Sequence, residues 1–429
     1  MQDGRFPKFT AEMRKTHKIL APTMLPVHFK IIAPLLRDFG YDVEVLSNCD
    51  QSVINEGLKS VHNDICYPAM LVIGQMIDAL KSGKYDTDKT ALIITQTGGG
   101  CRASNYIFLL RKALENSGFG NVPVISLNLS SFEKGSGFTL TVPLLIKLSF
   151  ALMYGDMLMW LTNQCLPYEK NKGDTNKVLD KWVNNLIDQM RTNGFIRVKK
   201  NYRKIVKDFA KIERLNIKKP RVGIVGEIYM KYSPLGNNSL EEFLINEGAE
   251  PVVSGVTDFL LYCFENALVD KKLYGGKLFK GMPAAIGVKY LSMRQKQMIN
   301  AIRKDGTFRA PTPFAHIKDM AEGYIGKGTK MGEGWLLTAE MLELIDSGVN
   351  NIVCTQPFGC LPNHIIAKGM MRKIKDRHPM ANIVAIDYDP SATKINQENR
   401  LKLMLSNADG GRGVFSKSNT DKKEEILVL

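Results

Sequence analysis

The sequence lacks the features that direct a chain into a membrane or a secretory pathway. Its first residues, Met1 to Phe6, contain neither the apolar core of a signal peptide nor the Arg- and Ser-rich bias of a transit peptide. No uninterrupted apolar run reaches membrane-spanning length. With 44% hydrophobic and 24% charged residues among 429, the composition predicts a soluble globular protein, cytoplasmic and without a membrane partner.

Signatures of nucleic-acid binding are also missing, although the formal net charge is +15. Lys and Arg are scattered along the chain instead of forming a recognised motif. We therefore expect no nucleic-acid partner, and we interpret the charge as a solvated surface or as the complement of an acidic protein.

Nucleotide-binding motifs are incomplete wherever glycine is dense. Gly326-Lys327 is followed by Gly328 and lacks the Walker A spacing. Gly223-Ile224-Val225-Gly226 is only part of a dinucleotide fingerprint, and Gly98-Gly99-Gly100 does not have its spacing. The sequence therefore contains no identifiable ATPase module.

Cysteine is scarce, odd in number and never arranged as a CxxC pair. This pattern argues against a disulfide framework, a zinc ribbon and a compact ferredoxin motif. It leaves metal or redox chemistry for some of the thiols. The seven cysteines are Cys49, Cys66, Cys101, Cys165, Cys263, Cys354 and Cys360.

Alternating apolar runs and helical patterns predict an α/β fold. We expect two Rossmann-like lobes with parallel sheets, residues 1–139 and 220–408, joined by a helical bridge at 140–219. Residues 409–429 are polar and predict a flexible tail.

Three of the cysteines share a local context. Cys66 precedes a helix with an early proline, Cys101 follows Gly98-Gly99-Gly100 between a strand and a helix, and Cys360 follows another strand and glycine. Helix N-termini that converge on one place would suit an anionic iron-sulfur cluster.

Two other interpretations stay open from the residues alone. Cys101 could be a nucleophile, with a base such as His62, His316 or His364. The cysteines could also be small buried apolar residues, which is how we interpret Cys165 and Cys263 within their helical patterns.

Four segments carry a resemblance to a known family. They are Val61-His62-Asn63-Asp64-Ile65-Cys66-Tyr67-Pro68-Ala69, Thr95 to Tyr106, Val225-Gly226-Glu227-Ile228-Tyr229, and Gln356 to His364. Together they resemble the 2-hydroxyacyl-CoA dehydratase superfamily. The similarity is greater to the C-terminal region of activase-related proteins of that superfamily, and it covers about residues 9 to 408.

The resemblance implies a cofactor and its ligands. Relatives hold a 4Fe-4S cluster through three cysteines between Rossmann-like lobes, which implies Cys66, Cys101 and Cys360 as ligands here. Other relatives carry a double-cubane 8Fe-9S cluster, for which Cys354 and Cys49 are the spare candidates. Further cofactor-binding candidates are Gly98, Gly99, Gly100, Arg102, Asn105 and His364, with Glu227 and Asn363 as weaker ones.

The resemblance also implies partners and activities. The large activase-related proteins contain actin-like ATPase modules that this sequence lacks, so we expect a separate ATP-dependent activator and an oxygen-sensitive protein that is a homo- or heterodimer. Such a protein would receive low-potential electrons for a difficult reduction or radical reaction. One alternative is a 2-hydroxyacyl-CoA dehydratase subunit that binds a CoA thioester, and another is a non-catalytic scaffold with a structural metal. No catalytic residue is identified.

Overall fold

A computed structural model gives the fold of the chain. It describes residues 6–62, 64–96, 100–128, 137–275 and 281–408. Gly98, Gly99 and the predicted tail at 409–429 lie outside the described residues. Residues 1–5, on which the expectation about a signal peptide partly depends, lie outside them as well.

The first lobe is built on a four-stranded parallel sheet in the order β2-β1-β3-β4. Its strands are β1 (Lys18–Ala21), β2 (Asp42–Val45), β3 (Thr90–Gln96) and β4 (Val124–Asn128). Its helices are α1 (Pro26–Asp38), α2 (Gln51–Ser60), α3 (Tyr67–Lys81) and α4 (Tyr106–Asn116), with 3₁₀ turns at Met13–Lys15, Thr87–Lys89 and Arg102–Asn105.

Long helices follow the first lobe. They are α5 (Val142–Cys165), α6 (Asp174–Thr192) and α7 (Val198–Ala210), with a 3₁₀ turn at Gly194–Ile196. Helix α5 is the one helix of the described residues that is long and apolar enough to cross a membrane, and 61% of its most apolar window is buried inside the fold. Such burial is typical of the core helix of a soluble protein.

The second lobe repeats the sheet of the first in the order β6-β5-β7-β8, again all parallel. Its strands are β5 (Arg221–Gly226), β6 (Glu250–Val253), β7 (Asn351–Pro357) and β8 (Asn382–Tyr388). Its helices are α8 (Ile228–Tyr232), α9 (Pro234–Asn237), α10 (Leu240–Asn246), α11 (Val256–Tyr274), α12 (Met282–Asp305), α13 (Phe314–Met320), α14 (Trp335–Asp346), a π-helical turn (Asn363–Lys368), α15 (Gly369–Arg377) and α16 (Lys394–Ala408).

The buried side chains form three clusters, and the first of them spans both lobes and the bridge. Ile19 of β1, Tyr154 of α5, Tyr202 of α7 and Trp335 of α14 belong to the same cluster of buried side chains. Direct polar contacts add to this packing, since the Leu25 N–H donates to the Tyr232 carbonyl and the Ser233 hydroxyl donates to the Thr23 carbonyl at 2.8 Å. The two sheets are therefore held in a fixed relation by packed side chains.

The fold class predicted from the sequence is confirmed. The described strands lie within 1–139 and 220–408, both sheets are parallel, and the range 140–219 contains only helices and turns. In both sheets the second strand lies on one side of the first strand and the third strand lies on the other side. A topological switch point therefore lies between β1 and β3, and another lies between β5 and β7. Ligands of open α/β sheets bind at such points, outside the carboxyl ends of the strands.

Candidate functional site

Each of the three predicted cysteine ligands stands directly before a helical segment. Cys66 is the N-cap of α3, Cys101 is the N-cap of the 3₁₀ turn that leads into α4, and Cys360 precedes the helix that continues through the π-helical turn. The sequence context forces this arrangement, because Pro68 suits the first turn of a helix and Gly359 ends an extended strand. The dipole of a helix favours negative charge near its start.

The segments of Cys66 and Cys360 are in direct contact. The Tyr67 N–H donates to the Phe358 carbonyl at 3.0 Å, which joins the first turn of α3 to the end of β7. Gly359 has a φ of +72°, and a methyl group built on it would lie 3.1 Å from the Cys66 Cα. The same methyl would lie 3.3 Å from Arg102 Nη1, so the residue beside Cys101 reaches this point as well. The structure therefore brings the three cysteine-bearing segments together near the carboxyl ends of β3 and β7.

Two of the sulfur atoms accept or share hydrogen bonds with buried side chains. Cys66 Sγ and the Tyr106 hydroxyl lie 3.1 Å apart, and Asn363 Nδ2 donates to Cys360 Sγ at 3.3 Å. Burial raises the pKa of the Cys66 thiol to about 11, with smaller contributions from Glu227 and Cys101. Burial also raises the pKa of Cys360. Both thiols are thus protonated at neutral pH in the metal-free protein, and binding a metal would release their protons.

A pair of buried carboxyl groups lies beside these thiols. Glu227 is the N-cap of α8 and accepts the Met230 N–H at 2.8 Å, while Glu333 accepts the Ile228 N–H at 3.0 Å. Burial and the neighbouring Glu333 raise the pKa of Glu227 to about 8. Burial likewise raises the pKa of Glu333. At neutral pH Glu227 is therefore mostly protonated, and the pair carries less than its formal negative charge next to the cysteines.

The glycine turn before Cys101 is described only at its last residue. A methyl group built on Gly100 would lie 2.7 Å from Met331 Sδ, so the turn approaches the glycine-dense loop that holds Glu333. The predicted roles of Gly98 and Gly99 fall outside the described residues.

Among the other predicted site residues, Arg102 reaches the cysteine segments at Gly359. Asn105 is close to them only in sequence, through Arg102 and Cys101. Asn105 is exposed and precedes α4 without a capping side-chain bond. His364 is exposed, and its Nδ1 lies 2.7 Å from Gln356 Nε2. Asn363 is fully buried and contacts the sulfur of Cys360, so it has a closer relation to the cysteines than His364 has.

The four remaining cysteines occupy different environments. Cys354 is buried in β7, and its sulfur lies 3.9 Å from Asn363 Oδ1, so one amide contacts the sulfurs of Cys354 and Cys360. Cys49 is exposed. Cys165 is buried at the end of α5 and Cys263 is partly buried in α11, as their apolar helical patterns predict.

The thiols are not assembled as a ready-made metal site. Within the part of the chain that the structure describes, no three His, Cys, Asp or Glu side chains are grouped closely enough to hold a metal ion. The segments meet through backbone contacts, and side-chain rotation would have to bring the sulfurs onto one cofactor.

Sequence reasoning missed Glu333 and the role of Tyr106 at this site. Glu333 stands between Gly332 and Gly334 in a glycine-dense loop. Its flanking glycines were the available signal, because glycines on both sides of one carboxylate indicate close backbone packing around it. Tyr106 ends one of the segments that carry the resemblance, and a signal for its role was that a buried tyrosine usually finds a polar partner.

Comparison with known proteins adds no identification. No known family model matches the chain, and a search of curated proteins finds no match.

Proposed function

We propose that this chain is a cytoplasmic iron-sulfur protein that receives low-potential electrons from a separate ATP-dependent activator. Cys66, Cys101 and Cys360 would hold a 4Fe-4S cluster. The observation that carries the proposal is the meeting of all three cysteine-bearing segments at Gly359, through the Tyr67–Phe358 hydrogen bond and the approach of Arg102. The resemblance of the same segments to the 2-hydroxyacyl-CoA dehydratase superfamily supports it.

The surroundings of the thiols fit an anionic cluster with sulfur ligands. Such a cluster, when bound, would accept and donate single electrons and would leave one iron open to a further ligand. Tyr106 and Asn363 supply hydrogen bonds to the ligand sulfurs, which is a main way in which proteins tune reduction potentials. The raised pKa of Glu227 keeps this carboxyl protonated at neutral pH, which limits the negative charge beside three thiolates.

The partners of this protein follow from the same proposal. The sequence contains no nucleotide-binding motif of its own, so ATP hydrolysis would belong to an activator with an actin-like fold. The chain would pair with itself or with a related subunit, and a CoA thioester is the substrate class that the resemblance favours. Cys354 is the candidate for an additional ligand of a larger 8Fe-9S cluster, because Asn363 links its sulfur to that of Cys360.

Anaerobic purification followed by iron and acid-labile sulfide analysis tests the proposal. We expect iron with matching sulfide and a brown chromophore in the wild-type protein. Cys66→Ala, Cys101→Ala and Cys360→Ala should each lose the chromophore, because a cluster with three protein ligands cannot spare one.

Cys165→Ala is the matched control, since this buried thiol lies at the end of α5 and should leave the iron content unchanged. Equal iron loss in Cys165→Ala and Cys101→Ala would refute the ligand assignment. Zinc without sulfide would instead support a structural metal in a scaffold protein.

A further inference from the structure

A second candidate site lies in the first lobe, away from the cysteines. It is an open groove of about 810 Å³ whose lining includes Arg14, Lys15, Arg37, Asp42 and Thr139. Asp42 is the first residue of β2, so the groove borders the amino ends of the strands. The cysteine site borders the carboxyl ends, where Cys101 follows β3. Because the strands are parallel, the groove and the cysteine site lie at opposite ends of the strands.

The guanidinium group of Arg14 is held in place by neutral partners. Its Nη2 donates to the Phe39 carbonyl, and its Cζ lies 4.5 Å from the centre of the Tyr41 ring. Gly40 leaves room for this arrangement, since a methyl group built there would lie 3.1 Å from Arg14 Nε. The Tyr41 ring is fixed in turn, because its hydroxyl accepts the Thr139 N–H at 3.0 Å. Among the residues that the structure describes, no carboxylate forms an ion pair with Arg14, so its charge is positioned by neutral groups.

Arg37 is held in a similar way on the other side of the groove. Its Nε donates to the Val43 carbonyl at 3.2 Å and lies 4.0 Å from Asp42 Oδ1. Asp42 also interacts with Lys18, whose Nζ lies 3.8 Å from Oδ2. Lys18 has a closer partner in Glu44, whose Oε2 lies 3.0 Å from its Nζ, so Asp42 remains available to Arg37. The Arg37–Asp42 pair joins half-exposed side chains at 4.0 Å, and such a pair compensates charge only weakly.

The groove has an excess of positive charge. Arg14, Lys15 and Arg37 line it together with one carboxylate, that of Asp42, which leaves two net positive charges among the lining residues. Glu12 also interacts with the charge of Lys15. The two arginines, fixed by backbone carbonyls, carry the recognition.

We propose that this groove binds a phosphate-bearing small molecule. Guanidinium groups recognise phosphate oxygens through paired N–H donors, and arginines that are fixed in advance lose little side-chain entropy on binding. The volume falls within the range of about 300–1,000 Å³ that small-molecule and cofactor sites occupy. The inference is independent of the iron-sulfur proposal, since it uses none of the cysteines.

Calorimetric titration of the full-length protein with inorganic pyrophosphate tests this inference. We expect saturable binding to the wild-type protein and at least a tenfold loss of affinity in the double variant Arg14→Gln/Arg37→Gln. The matched control is Lys199→Gln/Lys204→Gln, which removes the same charge from the exposed face of α7 and should change the affinity less than twofold.

Two further variants separate recognition from folding and from general charge. Asp42→Asn should tighten binding, because it removes the one carboxylate that lines the groove. Lys15→Gln changes an exposed side chain and should weaken binding severalfold while leaving thermal unfolding unchanged. No binding by the wild-type protein, equal losses in the α7 control, or equally tight binding of citrate would each overturn the proposal. Iron content should be the same in all these variants.

Discussion

Glu227 connects burial, charge and the candidate cysteine site in one side chain. It is enclosed beside Glu333 and has a pKa raised to about 8, chiefly by burial. Between the ordinary carboxyl pKa and this value, the folded protein binds a proton that the unfolded chain releases. The folded state therefore loses stability as the pH rises through this window, and the effect is absent below the ordinary pKa.

We expect Glu227→Gln to flatten this pH dependence. The free energy of unfolding of the metal-free wild-type protein should fall between about pH 5 and 8, with a limiting slope of about 1.4 kcal/mol per pH unit for one proton. The variant should be less sensitive because the amide has no proton to lose. Denaturant unfolding at several pH values measures the slope.

Glu322→Gln provides the control at a side chain that is 73% exposed. The interpretation fails if both variants show the wild-type slope, because the titrating group would then lie elsewhere.

The residues of the candidate site were predictable only where a local pattern identified them. Cys66, Cys101 and Cys360 stand next to a proline or glycine and a helix start, and those patterns are visible within a few residues. The flanking glycines mark Glu333 as a closely packed position, but its contact with the N–H of Ile228 was not predictable, because that residue lies in a distant part of the chain. Long-range contacts of this kind have no signature in a local window.

At the scale of elements, α5 joins the two lobes through one buried carboxylate. Asp156 Oδ1 lies 2.8 Å from His28 Nε2 of α1 and accepts the Val256 N–H at 2.8 Å, while Oδ2 accepts the Thr257 N–H at 3.0 Å. A carboxylate at the start of α11 also has a favourable interaction with the dipole of that helix. One side chain therefore fixes three helices relative to one another.

Asp156→Ala should lower the free energy of unfolding by about 3 kcal/mol, because it leaves a buried histidine and two backbone N–H groups without their acceptor. Chemical denaturation of the full-length protein measures the difference. Asp188→Ala, at a carboxylate that is 76% exposed, should change stability by less than about 0.5 kcal/mol. A small effect of Asp156→Ala, comparable to that of the control, would show that water replaces the carboxylate without cost.

Long periodic elements were predicted well and short ones were not. The helical pattern from Val178 to Met190 and the apolar run from Asn382 to Asp387 are visible in the sequence, and they match α6 and β8 with small changes at their ends. The short helices α8 and α9 were missed because five and four residues contain too little periodicity. The π-helical turn after Cys360 was not predicted, because its extra residue per turn depends on packing and not on composition.

The whole molecule contains two sheets of the same strand order, and Cys101 and Cys360 follow the carboxyl ends of β3 and β7. On the proposed function, removing iron should therefore loosen the contact between the lobes more than the lobes themselves. We expect the Tyr67 amide, which donates to the Phe358 carbonyl, to exchange with solvent faster after chelation. Hydrogen exchange of the loaded and the chelated protein measures this change.

The Leu92 amide, which donates to the Pro123 carbonyl within the first lobe, is the internal reference. Its protection should persist after chelation. Unchanged exchange at Tyr67, or equal acceleration at both amides, would contradict a cluster that bridges the lobes.

The arrangement of the lobes could be predicted only in part. Apolar runs separated by helical patterns were sufficient to predict two parallel sheets, because strands that are covered on both faces have few polar positions. The shared core was not predictable, since the packing of Tyr154 and Tyr202 with Trp335 depends on how the bridge folds back onto both lobes.

The contact between Tyr67 and Phe358 also constrains the order of events during translation. At about 5–20 residues per second, roughly 15 to 60 seconds separate the synthesis of these two residues. The nascent chain exposes the first two cysteine segments throughout this time, without the third. On the proposed function, cluster delivery would therefore follow the emergence of Cys360 from the ribosome, and the first two thiols would need protection from oxidation until then.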